Sequence, residues 1–211
     1  MAVSRVTPYG LKEVADVYLF PVGTTITISN TYDSSYYAGY INAATDPNFI
    51  FDTLKVSNIE VSSEDTSAQG GKGNPELISW SYGKEITFTM EDALFSMATL
   101  DLMFGANASV DDDTTQVVTI DSDSFPANYH IVGFTYMRNQ EKQLDAPFIF
   151  EIPNAKIQVG GTLTMEADGD PTTFEMTIKA LQKAGSKELV KFTRLADLEE
   201  APSAHYSNNV K

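Results

Sequence analysis

Between Gly83 and Gly105 the chain reads GKEITFTMEDALFSMATLDLMFG, and its hydrophobic rhythm changes from period two to a helical period. Ile86, Phe88 and Met90 fall on one side of an extended strand, with Glu85, Thr87 and Thr89 on the other. Ala93, Met97, Leu100 and Phe104 then recur at helical spacing. Leu94, Phe95, Leu102 and Met103 make that segment apolar almost all round, which predicts a helix covered on most sides. Thr89 stands three residues before Asp92, a capping-box-like start, and Glu91 and Asp92 place negative charge at the positive end of the helix dipole. Gly105 supplies the stop. One strong helix in a chain that otherwise alternates as strands narrows the architecture to a mainly β fold.

With 211 residues the chain has enough length for one sizeable core, and all-β folds of this size often form one unit. We therefore expect a single domain over 1–211, with flexible loops at 30–49 and 62–75 and a C-terminal tail at 196–211. The 12 Phe and 10 Tyr supply the aromatic side chains that β packing favours. The net charge is -15, spread evenly: 13 acidic and 5 basic residues in 1–105, then 16 and 9 in 106–211. Such a surface repels nucleic acid and anionic membranes, and it also aids solubility. With no cysteine, disulfides, thiolate metal sites and cysteine nucleophiles are excluded. No stretch approaches the roughly 20 apolar residues of a membrane span, and the N-terminus lacks the apolar core of a signal peptide.

Val17–Phe20 and Thr24–Ile28 read as two strands of an early hairpin around Pro21 and Gly23. Asn30–Asn48, holding Tyr32, Tyr36, Tyr37 and Tyr40, has no clear period and reads as a long loop. Its tyrosines either meet a partner or lie on their own domain. Ile50–Val61 reads as a strand, and Ser62–Pro75 (SSEDTSAQGGKGNP) as the tip of a mobile hairpin leading into the strand Leu77–Tyr82. Its GGKG lacks the P-loop pattern and precedes a strand, so phosphate binding is not indicated. Ala106–Thr114, with Asp111, Asp112 and Asp113, and Asp121–Ser124 read as acidic turns without the Gly and Glu of an EF-hand. Gln116–Ile120, Tyr129–Arg138 and Ala146–Ile152 read as strands, with an interruption at Pro153–Asn154 before Lys156–Val159. A hairpin spans Thr162–Leu181, turning at Ala167–Pro171, with Phe174, Met176, Ile178 and Ala180 on one face of its return strand. Glu188–Thr193 closes the β pattern.

Catalytic chemistry is poorly represented. His130 sits in a strand as a structural histidine and His205 lies in the tail, so no HExxH or zinc pattern arises. There is no G-x-S-x-G elbow. Trp80, the single tryptophan, reads as a core residue, with sugar stacking as the other role. No catalytic, cofactor-binding or metal residue is assigned, and the chain reads as a non-enzyme without cofactors.

The order of features resembles the major tail tube proteins of tailed bacteriophages. The likeness lies in an N-terminal β region, the strand-to-helix run KEITFTMEDALF, and the later strands FIFEIPNAKI and GGTLTMEADGDPTTFEMTIKALQ, over roughly Val17–Phe192. It implies a β-sandwich or partial barrel with one flanking α-helix. It also implies hexameric rings stacked into a tube whose lumen carries the tape-measure protein and then the DNA during ejection. The partners would be other copies of the chain, the tape-measure protein and the tail-end proteins, with no specific DNA binding and no membrane. The place would be the phage tail, after synthesis in the host cytoplasm. Alternatives are another tail component, such as a terminator or baseplate hub protein, or a carbohydrate-binding β-sandwich using Trp80 and the tyrosine-rich loop.

Overall fold

The alternation carried by the sequence becomes antiparallel strands in the computed structural model, which describes residues 8–11, 15–92, 96–105, 107–112, 115–158 and 174–198. In chain order they are β1 (Tyr9–Leu11), β2 (Asp16–Pro21), β3 (Ile26–Ile28), β4 (Ile41–Ala43), β5 (Phe49–Phe51), β6 (Leu54–Gln69) and β7 (Glu76–Asp92). Helix α1 (Met97–Phe104) follows. Then come β8 (Asn107–Asp112), β9 (Thr115–Thr119), β10 (Asn128–Asn139), β11 (Asp145–Ile157), β12 (Phe174–Ala180) and β13 (Lys191–Arg194). The protein is mainly β with antiparallel sheets and, among the described residues, one short helix, as expected of a β-sandwich with one helix.

Contacts divide the chain into two compact units, the first formed by Met1–Leu54, Tyr129–Pro153 and Val190–Lys211 and the second by Lys55–Asn128 and Asn154–Leu189. In the first unit, β10 pairs with β2 through Tyr129–Phe134 and with β1 through Met137–Asn139. The other edge of β2 pairs with β5, and β11 pairs with β13 through Phe148–Glu151. Val17, Tyr18, Leu19 and Phe20 are all buried, because β2 has sheet neighbours on both edges and packing on both faces. On one face of β2, Tyr18 and Phe20 belong to a core with Tyr40, Ile41, Val132, Phe134, Tyr136, Ile149 and Leu195. Tyr40 stacks on Phe134 at 5.9 Å, and each buried aromatic of this kind contributes about 1.5–3 kcal/mol.

Two expectations change here, and a third is described only at its start. The predicted β2–β3 hairpin has its turn, since the Thr24 N–H and hydroxyl both donate to the Pro21 carbonyl, at 3.1 and 2.8 Å. However, both edges of β2 are already taken, and β3 pairs with β4 instead. Residues 30–49 contain β4, and Tyr37 and Tyr40 lie on their own unit: the Tyr37 ring sits 5.7 Å from Tyr18 and 5.8 Å from Phe20. The 196–211 tail begins anchored, with the Leu198 N–H donating to the Asp145 carbonyl at 2.8 Å; His205 lies outside the described residues.

In the second unit, β12 pairs with β7 from Phe174↔Asp92 to Lys179↔Thr87, and with the end of β11 through Ala155–Ile157. Ile86, Phe88, Met90, Met176 and Ile178 are buried on the shared face, as the period-two pattern predicts. On the other face Lys179 pairs with Glu85 at 2.7 Å. Because β12 holds β7 through Glu91 and Asp92, the predicted capping box at Thr89 does not form; Thr89 is a strand residue opposite Thr177. The helix is shorter, starting after Ser96, whose hydroxyl accepts the Thr99 N–H at 3.1 Å. Ala93, Leu94 and Phe95 lie outside the described residues. Gly105 ends the helix as predicted, in the left-handed region at φ 60°. Thr99, Leu102 and Met103 are the fully covered positions, a narrower set than the all-round apolar pattern implied.

The helix lies against β8 and β9, so Asn107–Asp112 is strand where the sequence suggested an acidic turn. Strand β11 is continuous through Pro153, where an interruption was expected. Pro153 falls between the stretch of β11 paired with β13 and the stretch paired with β12, so its missing N–H removes no bond on that edge. The first strand of the predicted Thr162–Leu181 hairpin lies outside the described residues; its return strand is β12.

Candidate assembly surface

Strands β6 and β7, of 16 and 17 residues, form one long hairpin. Only the base of it, from Ile86 to Asp92 in β7, carries the alternating buried positions. The sequence placed a mobile tip over Ser62–Pro75, but β6 continues to Gln69 and the turn is confined to Gly70–Pro75. Residues 62–69 alternate no apolar side chains, so period gave no sign of the strand. At the turn the Gly70 N–H donates to the Pro75 carbonyl at 3.2 Å and the Asn74 N–H to the Gly71 carbonyl at 3.1 Å. Gly71 and Gly73 adopt φ of 84° and 91°, which explains the glycine-rich GGKGN sequence without any phosphate role.

Beyond Ile86 the arm is exposed on both faces. Ile78, Trp80 and Tyr82 are 54%, 53% and 54% exposed and share one face of β7, alternating with Ser79 and Ser81. Trp80 is therefore not the core residue the sequence suggested. It lies in the outer half of β7, past the last position that β12 and the unit's interior cover. Its sequence signal was the strand alternation of LISWSY, which fixes the face but not its cover. Among the described residues, β6 ends the strand order β12–β7–β6, an edge at which a further strand can pair.

The other sequence candidates do not converge on a site. His130 is buried, its Nδ1 3.2 Å from the Thr24 carbonyl oxygen and its Nε2 3.9 Å from Glu151. Glu151 accepts a 2.7 Å bond from Lys191, which makes this a structural ion pair beside a packed histidine. In the tyrosine-rich segment, the Tyr37 hydroxyl donates to Asp46, and burial together with that carboxylate pushes the phenol up to about 12. Asp33 accepts from the Ser35 N–H and hydroxyl at 2.9 and 2.7 Å, which lowers its carboxyl below the usual range. Among the described residues no three His, Asp or Glu side chains gather as metal ligands.

A search of curated proteins finds no match. The YomU/Tube protein family model matches residues 33–109 and 106–194, well over half of the chain. The chain belongs to this phage tail tube family. The tube protein is thus a structural component of a phage tail. Its whole β6–β7 arm lies within the first matched stretch, and β10 to β13 lie within the second.

Proposed function

We propose that the tube protein assembles as hexameric rings that stack into the tail tube, the conduit through which DNA is ejected. The observation that carries this reading is the β6–β7 arm: a long hairpin with two exposed faces that, among the described residues, ends the strand order of its sheet, a surface suited to contact with another molecule. The chain from 1 to 211 acts as one tube subunit, without catalysis and without a cofactor. The net charge of -15 suits a wall that DNA passes without adhering, because repulsion extends about 8–10 Å at physiological salt. The tape-measure protein occupies the lumen before DNA, tail-end proteins cap the tube, and synthesis takes place in the host cytoplasm.

The same charge opposes assembly, so salt should favour it by screening subunit repulsion. Sedimentation velocity of the purified protein at rising salt tests the reading. The expected result is a shift from single subunits to very large particles; single subunits at every salt and concentration would count against it.

A further inference from the structure

We infer that the face of β7 bearing Ile78, Trp80 and Tyr82 is the subunit contact of the arm, and that it packs against a second copy of this chain. The inference rests on the tube reading and names the surface by which it is achieved. Residues 77–83 (LISWSYG) form an uncharged run in a chain of net charge -15. Copies of such a chain repel one another, so their contact must be made where charge is absent and apolar area is available. Within the arm, the outer half of β7 meets both conditions over residues 77–83, while the acids Glu64 and Asp65 stand on the paired strand β6. Its three large side chains stand on one face, each more than half exposed, and aromatic residues dominate the energy of protein contacts. A nucleic acid would be repelled by the surrounding acids, and a cationic partner would seek those acids rather than this stripe. The Gly70–Pro75 turn and the Asn74 Nδ2 bond to Gln69 Oε1, at 3.0 Å, hold the two strands together out to the tip. The stripe is thereby presented on a paired ribbon, not on a loose loop, which lowers the ordering cost of contact.

Because Trp80 is the only tryptophan, its fluorescence reports this surface alone. The experiment compares emission and acrylamide quenching in free subunits and in tubes grown from the purified protein. The expected result is a blue shift and loss of quenching on tube formation by the purified protein. Trp80→Ala should raise the protein concentration needed for tubes by roughly tenfold or more, with Trp80→Phe recovering most of it. Thermal unfolding of the free Trp80→Ala subunit should change far less than tube formation does, because about half of the side chain is exposed there. Tubes in which Trp80 stays as quenchable as in free subunits would overturn this inference and leave the tube reading standing. Failure of the unmodified protein to form tubes under any condition would defeat the tube reading, and this inference with it.

Discussion

Gly133 of β10 lies against the ring of Phe150 in β11, so close that a Cβ placed on it would come 2.0 Å from Phe150 Cε1. The glycine is what lets a buried aromatic lie flat across the neighbouring strand. Gly133→Ala must displace that ring within a packed core, at about 1–3 kcal/mol. Urea unfolding should show that loss, and Phe150→Leu in the same background should recover part of it by making room.

Arg138 grips Asp145 with two bonds, Nε to Oδ1 at 2.6 Å and Nη2 to Oδ2 at 3.0 Å. The Asp145 side chain is fully covered, whereas Arg138 is 43% exposed. Removing the arginine leaves a buried carboxylate without its charge partner. Arg138→Met should therefore cost about 2–3 kcal/mol, between the values for exposed and fully buried pairs. Calorimetry of the variant checks this. A loss no larger than that of a surface substitution would show that the pair adds little.

The Tyr37 phenol, pushed up to about 12 by burial and by Asp46, links stability to alkaline pH. Its folded value lies above the unfolded value of about 10, so the protonated form favours folding. The contribution is complete below about pH 10 and is lost as pH rises through about 12. Comparing the protein with Tyr37→Phe across that window should show a stability difference that changes only on the alkaline side.

Gly105 ends α1 at φ 60°, and a Cβ there would come 2.2 Å from the Phe125 carbonyl carbon. Gly105→Ala faces left-handed strain of about 1–2 kcal/mol together with a clash against backbone that has little room to yield. We expect a lower thermal midpoint and weaker amide protection in α1. Gly23→Ala provides the comparison: it also has positive φ, 88°, but open space around it, so it should show the strain without the clash.

Period-two alternation made the inner part of β7 and β12 legible because each has a packed face, and the left-handed stop at Gly105 was legible because so few residues tolerate it. The helix start was misplaced because Thr89 and Asp92 fit a cap equally well as local sequence. The choice was made by β12, which holds those residues in the sheet. Partner choice for β3 was hidden for a similar reason, since the claims of β5 and β10 on β2 are long-range. Burial in the arm was least legible of all. Trp80 is a residue that most folds would cover, and nothing in the local alternation of LISWSY marks it as exposed.

The central claim, a subunit that builds a tube of stacked rings, is tested most directly by electron microscopy of the purified protein after salt-induced assembly. The account predicts hollow tubes of uniform width whose averaged cross-sections show six-fold symmetry, with the β6–β7 arm covered by neighbouring density. Uniform single subunits under all conditions, or filaments with no lumen, would contradict it.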